Sequence, residues 1–250
     1  MAMNDLKYSD YDNFAWFYNK YWSARLIDQI FTSIEKHLLD KLEDGSKILD
    51  LCCGNGHLSK RMSDRGFQVT GIDSSEEMLR YARINAPGCE FSRMDARNLH
   101  FDHKFDAVVS TCDSLNHIMS LNELESVFQN VYSVLSPGGY FLFDMNTEEG
   151  YKDYWNVTNH AHVENDNAFI LSLSYDPDEK TSKFDITMFR EIEKVWHRSD
   201  TLLTQRYYPV NEILKLLENT GFTNIEHYDT EKDLGIKDTG RVMYVMQTSK

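Results

Sequence analysis

The spacing of apolar residues changes three times along the chain and divides it into four stretches. Residues 1–44 begin with an aromatic-rich segment and continue with apolar positions near helical period, at Leu26, Ile27, Ile30, Phe31, Ile34, Leu38 and Leu39. This spacing predicts one or two N-terminal helices. Short apolar runs then alternate with helical patterns over 45–150, polar and apolar residues alternate over 151–208, and the chain ends with a helix and two strands over 209–250.

Between residues 45 and 150, apolar runs that end in polar or glycine-containing turns predict five strands. We expect these strands at 47–51, 67–72, 90–94, 105–110 and 140–145. Helices are predicted at 57–65, from Ser74 to about Asn85, and around 121–135, with Ser74 and Glu77 as a capping box. Strands that alternate with helices indicate a parallel sheet with helices on both faces.

The stretch 151–208 predicts a second, antiparallel sheet. Apolar residues recur with period two at 169–173 and again at 184–188, and Asp176-Pro177-Asp178 separates the two runs as a turn. A third strand is expected at 202–208, where Pro209 ends it. Residues 210–219 return to helical spacing, and two strands are expected at 222–228 and 241–247.

Composition narrows the class of protein. Hydrophobic residues make up 41% and charged residues 26% of the 250 residues, which is typical of a globular domain. The formal net charge of −14 opposes binding to nucleic acid and to anionic membranes. No run of about 18 apolar residues and no basic-then-apolar leader is present, so we expect a cytoplasmic protein. The four cysteines lack a CxxC spacing, which favours structural thiols.

The first predicted strand ends in a glycine-rich loop, within the segment ILDLCCGNGHLS from Ile48 to Ser59. Asp50, Gly54 and Gly56 resemble the cofactor loop of class I S-adenosylmethionine-dependent methyltransferases, in which an acidic residue precedes alternating glycines. Cys52 replaces the first glycine of that pattern and narrows the space beside the cofactor. Glycines let the backbone turn sharply near a ligand, and the following helix N-terminus offers N–H groups to the methionine carboxylate.

Later positions occur in the order of the same family. Asp73, at the end of the second strand, is expected to accept hydrogen bonds from both ribose hydroxyls. The resemblance further implies that Asp95 accepts from the adenine amine and that Ala96 offers its backbone N–H to a ring nitrogen. It assigns the remaining cofactor contacts to Tyr11, Tyr18, Ser74, Met78, Met94 and Cys112. Tyr11 and Tyr18 could instead form the apolar face of a docked helix.

The resemblance implies a doubly wound α/β fold with a seven-stranded, mostly parallel sheet of order 3-2-1-4-5-7-6, in which strand 7 is antiparallel. We expect an N-terminal helical cap at 1–44, a Rossmann-like cofactor domain at 45–150 and 209–250, and a small antiparallel β insert at 151–208. The chain is most similar to small bacterial methyltransferases with such an insert, including sugar N-methyltransferases. The insert could act as a lid over the acceptor, as a homodimer interface, or as both.

Methyl transfer needs an aligned nucleophile and a site that excludes water, and it needs no metal ion. His117 is the first candidate for a general base because it follows the fourth strand closely and histidine titrates near neutral pH. Asp113 is the second candidate, with a capping or cofactor-contact role as the alternative. His160 and His162 share one face of a possible strand, but lack a further ligand nearby and are assigned to the surface.

The sequence therefore predicts an S-adenosylmethionine-dependent enzyme that methylates nitrogen or oxygen of a small-molecule acceptor. Two alternatives stay open at this point. One is a protein that binds the cofactor without catalysis, which would explain why no unambiguous base stands out. The other is a protein or tRNA methyltransferase, which would need an open acceptor groove with a basic rim.

Overall fold

A computed structural model describes residues 9–153, 159–237 and 240–250, with the side chains of 23–25 excluded. Parts of the predicted regions 1–44, 151–208 and 209–250 lie outside these residues. The helices are α1 Ala15–Tyr21, α2 Ser23–His37, α3 His57–Asp64, α4 Glu76–Asn85, α5 Leu121–Val134, α6 Glu148–Asp153 and α7 Val210–Thr220. The strands are β1 Lys47–Leu51, β2 Gln68–Asp73, β3 Glu90–Arg93, β4 Phe105–Ser110, β5 Leu135–Asn146, β6 His160–Val163, β7 Asn167–Asp176, β8 Thr181–Ile192, β9 Val195–Arg206, β10 Thr223–Asp229 and β11 Arg241–Gln247.

Seven of the described strands form one sheet, in the order β10-β11-β5-β4-β1-β2-β3. Neighbouring strands are parallel except β11, which pairs antiparallel with both β5 and β10. The last two strands of the chain occupy the places of strands 6 and 7, so the predicted fold class and strand order are confirmed. All parallel strands present their carboxyl ends at one edge, where ligands bind in this type of sheet.

The sheet is covered on both faces, as parallel sheets require. One apolar layer joins α5 and α7 to the sheet through residues such as Phe128, Phe141 and Leu217. A second layer joins α2 and α3 to the opposite face through residues such as Ile34 and Met62. Adjacent strand residues therefore face different layers, and both must be apolar.

The insert is a separate antiparallel sheet in the order β6-β7-β8-β9. Its inner face packs against α1, with Phe14 and Phe17 among Phe169, Phe184 and Met188. Burying this face against the N-terminal helix gives the small sheet the apolar partner that it cannot supply itself.

The β8–β9 hairpin is longer than the sequence indicated. Ile192 pairs with Val195, and Glu193 and Lys194 form the turn with φ of 51° and 66°. Two-residue hairpin turns of this type normally carry Asn-Gly or Asp-Gly, and their absence hid the turn. Strand β9 consequently starts at Val195 and ends at Arg206, which corrects the predicted third strand at 202–208.

The start of α4 also differs from the prediction. Ser75, and not Ser74, is the N-cap residue, and its Oγ accepts from the backbone N–H of Met78 at 3.1 Å. The predicted capping box at Ser74 and Glu77 is therefore wrong by one residue. Ser74 stays in the connection after β2, where its side chain is exposed.

Candidate active site

A pocket lies at the carboxyl edge of β1 and β4, beneath α1. Its empty volume, including its open mouth, is about 320 Å³. Predicted cofactor residues supply part of its lining, namely Tyr18, Asp50, Cys52, Gly54 and Cys112. Sequence reasoning missed other lining residues, which are Ile27, Cys53, Asn55, His57, Leu58, Thr111 and Ser114. Apart from Tyr18, the predicted lining residues lie at or just after strand ends, where the sequence signal pointed to this edge.

The loop after β1 depends on residues with left-handed backbone conformation. Cys52, Gly54 and Gly56 have φ of 61°, 53° and 77°. A Cβ on Gly56 would lie 2.9 Å from the Cα and Cβ of Ala82 in α4, so a larger residue would push the loop away from that helix. Cys52 adopts the conformation that the family's glycine takes freely, at a cost of about 1–2 kcal/mol.

Asp50 anchors the loop from below. Its buried carboxylate accepts a hydrogen bond from Ser59 Oγ in α3 at 2.5 Å, which ties the end of β1 to the first turns of the helix. Burial raises the pKa of Asp50 to about 7, although the Ser59 hydroxyl opposes that rise. The Asp50 side chain is therefore buried beneath the floor of the pocket.

Asp73 brings β2 and the glycine loop together. Its two carboxylate oxygens accept from the backbone N–H of Gly54 at 2.9 Å and of Ser75 at 2.8 Å. Burial raises the pKa of this carboxyl. Because each carboxylate oxygen has two lone pairs, Asp73 keeps acceptor capacity for ribose hydroxyls, as the predicted role requires.

The predicted adenine side lies after β3. Asp95 holds Arg97 through both carboxylate oxygens, the shortest contact being 2.6 Å from Arg97 Nη2, and this ion pair lowers the pKa of Asp95. Ala96 is buried in the core layer, with Met94 packed beside it. Met78 is buried on α4. Arg97 was not predicted, and it positions the Asp95 carboxylate.

The N-terminal segment of residues 9–22, called the strap below, crosses the pocket and contacts both the main sheet domain and the insert. Asp12 Oδ1 accepts from Ser75 Oγ at 2.6 Å, and Asn19 Oδ1 accepts from the side-chain amides of Asn55 and Asn85, both at 2.9 Å. The Tyr18 ring lies over Gly54 in the loop. These contacts are far apart in sequence, so no local pattern pointed to them.

The strap also contacts the insert and the turn after β4. Thr201 Oγ1 donates to the backbone carbonyl of Asp10 at 2.8 Å, and Tyr21 donates to Asn167 Oδ1 at 2.6 Å. The Tyr11 hydroxyl lies 2.8 Å from Nε2 of His117. The strap therefore covers the pocket from the glycine loop to the insert.

His117 is enclosed by the strap, the β4 turn and β9. Its Nδ1 lies 2.8 Å from the carbonyl oxygen of Thr204, so Nδ1 carries the proton that donates to this carbonyl. Burial lowers the pKa of His117, against the opposing charge of Asp113. The ring is therefore neutral near pH 7, and the Nε2 lone pair faces the Tyr11 hydroxyl.

Asp113 belongs to a buried network of charges beside His117. Its carboxylate is paired with Arg241, the first residue of β11, and accepts from the Gln205 amide. Arg241 also holds Asp144 of β5 at 3.0 Å, and Asp144 in turn accepts from the backbone N–H of Asp113 at 3.0 Å. Because both carboxylate oxygens of Asp113 are engaged, its geometry favours positioning over proton transfer.

Two features of the sequence could have pointed to this network. Asp144 and Arg241 are charged residues within otherwise apolar strands, and buried charges are nearly always paired. Cys112 and Asp113 are consecutive non-glycine residues at positive φ, 60° and 53°, a strain that clusters at functional sites but leaves no trace in a single sequence.

In the described part of the chain, no group of three or more His, Cys, Asp or Glu side chains is arranged to hold a metal ion. His162 lies 3.2 Å from Glu164 at the surface of the insert, beside the Tyr21 ring. Among the same residues, no helix is long and apolar enough to cross a membrane.

The fold and the pocket define a class of protein. A sheet of this order with a glycine loop after β1 and acidic residues at the ends of β1, β2 and β3 is the class I architecture of S-adenosylmethionine-dependent methyltransferases. Residues 48–139 match the family model described as methyltransferase domain.

Comparisons over most of the chain agree with that class. A Bacillus subtilis (strain 168) protein named "Putative methyltransferase YqeM" is 35% identical over 216 residues, which cover 85% of this chain and 86% of that protein. A crystal structure of an S-adenosylmethionine-dependent methyltransferase from Clostridium acetobutylicum ATCC 824 matches with a TM-score of 0.77 at 23% identity, covering 97% of this chain and 100% of that one. The chain belongs to the class I S-adenosylmethionine-dependent methyltransferases, and S-adenosylmethionine is its methyl donor.

A third comparison includes the insert. CalS10 from Micromonospora echinaspora, an amino pentose methyltransferase whose structure contains S-adenosylmethionine, matches with a TM-score of 0.71 at 17% identity, covering 99% of this chain and 100% of that one. The likeness extends over the strap and the second sheet as well as the cofactor domain. At this identity it concerns the fold alone.

Proposed function

We propose that this methyltransferase acts on nitrogen or oxygen of a small-molecule acceptor that binds beside His117, between the strap and the insert. The observation that carries the proposal is the enclosed, neutral His117, with its Nε2 lone pair 2.8 Å from the Tyr11 hydroxyl. A group so covered can be reached by a small molecule but not by the surface of a folded macromolecule. The amino pentose specificity stated for CalS10 makes an amino sugar the first acceptor class to test.

The cofactor contacts that we propose follow the positions that the family resemblance assigns, of which Tyr18, Asp50, Cys52, Gly54 and Cys112 line the pocket. Asp73 would hold the ribose hydroxyls, and Asp95 with the Ala96 N–H would hold the adenine, with Met78 and Met94 as apolar neighbours. The loop residues Asp50, Cys52, Gly54 and Gly56, together with Ser74 and Cys112, would shape the remaining floor and rim. Tyr11 and Tyr18 would cover the site.

When bound, S-adenosylmethionine supplies an electrophilic methyl group on a positively charged sulfur. A hydroxyl must lose a proton as it attacks, and an ammonium group must lose one before it can attack, and Nε2 of His117 is positioned to receive that proton. The carbonyl of Thr204 holds the ring through Nδ1, and the negative charge of Asp113 favours the imidazolium that forms. Arg241 keeps Asp113 in place. We therefore assign Asp113 to positioning rather than to proton transfer.

A macromolecular acceptor is the weaker candidate. The strap and the insert close the site that a protein or tRNA segment would have to enter, and the net charge of −14 repels nucleic acid. The insert supplies Thr204 and Gln205 to the neighbourhood of His117, which supports its lid role. Its other predicted role, a homodimer interface, would use exposed apolar side chains such as Trp196 and Val195, and sedimentation velocity tests it.

The test uses the purified protein with methyl-labelled cofactor and three acceptor pools: amino sugar nucleotides, small hydroxylated metabolites, and cellular protein with tRNA. We expect label in a small-molecule pool. His117→Asn should lower kcat about 100-fold, the lower range for a general base, without changing cofactor affinity. His100→Asn replaces an exposed histidine and should change neither.

Three outcomes would contradict the proposal. Label that enters only protein or tRNA would overturn the small-molecule assignment. Full activity of His117→Asn would remove the base from the mechanism. Cofactor binding in calorimetry without transfer to any pool would favour the non-catalytic alternative.

A further inference from the structure

Gln205 connects the insert to the active site. It lies near the end of β9, is almost fully buried, and contacts side chains from four other segments: Asp113, His117, Asn146 and Tyr151. We propose that Gln205 is a positioning residue that keeps Nε2 of His117 unprotonated and aimed into the acceptor site. The proposal rests on the proposed function only in placing the acceptor beside His117.

The orientation of the Gln205 amide follows from its partners. An ionised carboxylate only accepts hydrogen bonds, so the contact with Asp113 requires the amide nitrogen on that side. The amide oxygen accepts from the Tyr151 hydroxyl at 2.8 Å and from Nδ2 of Asn146 at 3.1 Å. The two donors beside the amide oxygen and the carboxylate beside the amide nitrogen therefore require the same orientation of the Gln205 amide.

This orientation has a consequence for His117. One N–H of Gln205 is used by Asp113, and the other points at Nε2 of His117 across 3.1 Å. If Nε2 carried a proton, two donors would face each other in a buried site. Since Nδ1 already donates to Thr204, the neutral ring with an unprotonated Nε2 that accepts from Gln205 is the only form that satisfies both contacts.

The other charged and titratable groups near the ring give no competing explanation for its neutral form. Asp113 on the β4 turn favours the charged ring, and the Tyr11 hydroxyl on the strap can donate or accept. Arg241 on β11 and Asp144 on β5 are bonded to each other, and Arg241 also pairs with Asp113. Burial and the Gln205 donor therefore oppose the effect of Asp113 on the pKa of the ring. Of these two, only the donor also determines that Nε2 is the unprotonated nitrogen.

The same hydrogen bond makes the base dependent on the insert. Thr204 and Gln205 are adjacent residues of β9, and they hold Nδ1 and Nε2 of one ring. A displacement of β9 would release both ring nitrogens together. In this arrangement the second sheet sets the protonation state of a residue that belongs to the cofactor domain.

The test measures the ring nitrogens of His117 directly, by long-range proton–nitrogen correlation spectra of histidine-labelled protein, with His117→Asn to assign the signals. In the wild-type protein we expect the tautomer protonated at Nδ1 and a pKa below the ordinary value for histidine, since burial lowers this pKa. A resting ring protonated at Nε2 would overturn the proposal without any variant.

Gln205→Met removes both N–H groups at similar volume. We expect the pKa of His117 to rise by about one unit or more, because Asp113 then faces the ring without an opposing donor. The acidic limb of the kcat–pH profile should move up by the same amount. Gln247→Met replaces another strand glutamine, whose amide donates to the Gly138 carbonyl, and should leave His117 unchanged.

The two proposals fail in different ways. An unchanged tautomer and titration of His117 in folded Gln205→Met would overturn the role of Gln205, whatever the activity. A shifted titration together with methyl transfer that does not depend on His117 would uphold Gln205 and overturn the proposed base. Should Gln205→Met not fold, a wild-type ring protonated at Nε2 would still overturn the proposal.

Discussion

The cofactor side and the acceptor side that we propose for the active site are built in different ways. The cofactor side uses residues from three successive strand ends, Asp50, Asp73 and Asp95, and backbone N–H groups of the glycine loop. The acceptor side joins the strap, the β4 turn, β9 and β11, through Tyr11, His117, Gln205 and Arg241. The acidic strand ends and the glycine loop are formed by local turns, although the strap covers them, whereas the acceptor side consists of tertiary contacts between distant segments.

This difference predicts whether a substitution on each side lowers stability or ligand affinity. On the cofactor side a substitution removes one ligand contact or strains one turn, while the sheet that carries it stays intact. On the acceptor side the polar groups are buried and share partners, so the loss of one leaves others unsatisfied. We therefore expect acceptor-side variants to lose stability and cofactor-side variants to lose mainly affinity.

Arg241→Met should have the largest effect. It leaves Asp113 and Asp144 buried without their common cation, and we expect the free energy of unfolding to fall by about 3–5 kcal/mol. Arg198→Met removes an exposed pair with Asp200 and should cost less than about 1 kcal/mol. Guanidinium denaturation measures both, and equal losses would show that the buried network does not support the acceptor side.

Asp73→Ala should have the next largest effect, on cofactor binding. A hydrogen bond to a charged acceptor contributes about 1.5–3 kcal/mol, so the loss of one such bond should lower the affinity for S-adenosylmethionine roughly 10- to 150-fold in calorimetry. Asp64→Ala, at an exposed ion pair with Lys60, should bind normally. Unchanged affinity of Asp73→Ala would remove the ribose role from the cofactor side.

The stability of the cofactor side should depend on pH through Asp50. Its pKa is about 7 in the folded protein because of burial, and near 4 when unfolded. The contribution of Asp50 to the free energy of unfolding is therefore complete below about pH 4. It is lost as pH rises through 7, by up to about 1.4 kcal/mol per pH unit. Denaturation at pH 5 and 7 should show this loss in the wild type, relative to Asp50→Asn. An equal loss of stability between pH 5 and 7 in the wild type and in Asp50→Asn would contradict this prediction.

Cys52→Gly should have the smallest effect. The residue has φ of 61°, and glycine relieves about 1–2 kcal/mol of backbone strain while it adds a similar entropy to the unfolded chain. We expect thermal unfolding to change by less than about 1 kcal/mol, with cofactor affinity retained. Cys52→Val, β-branched at the same φ, should lose more. Tolerance of valine would show that the loop is not strained there.

The outcome at individual residues shows why prediction succeeded in some places and not in others. The five parallel strands of the main sheet were predicted from apolar runs between turns, because strands buried on both faces such as β1 are mostly apolar, and their order was implied by the family resemblance. The N-cap at Ser75 was missed because two adjacent serines satisfy the same pattern, and the backbone decides between them. The turn at Glu193 and Lys194 was missed because neither residue favours positive φ.

The sequence by itself determined the class of protein and the methyl donor, because the cofactor loop and the acidic strand ends are short patterns that carry their own geometry, and the resemblance to that class implied the strand order. Only the tertiary structure decided which groups surround His117. Tyr11, Gln205 and Arg241 come together through the strap, the insert and the last strand, across separations of about a hundred residues. A contact between distant segments depends on how whole elements pack, and no local pattern of residues specifies it.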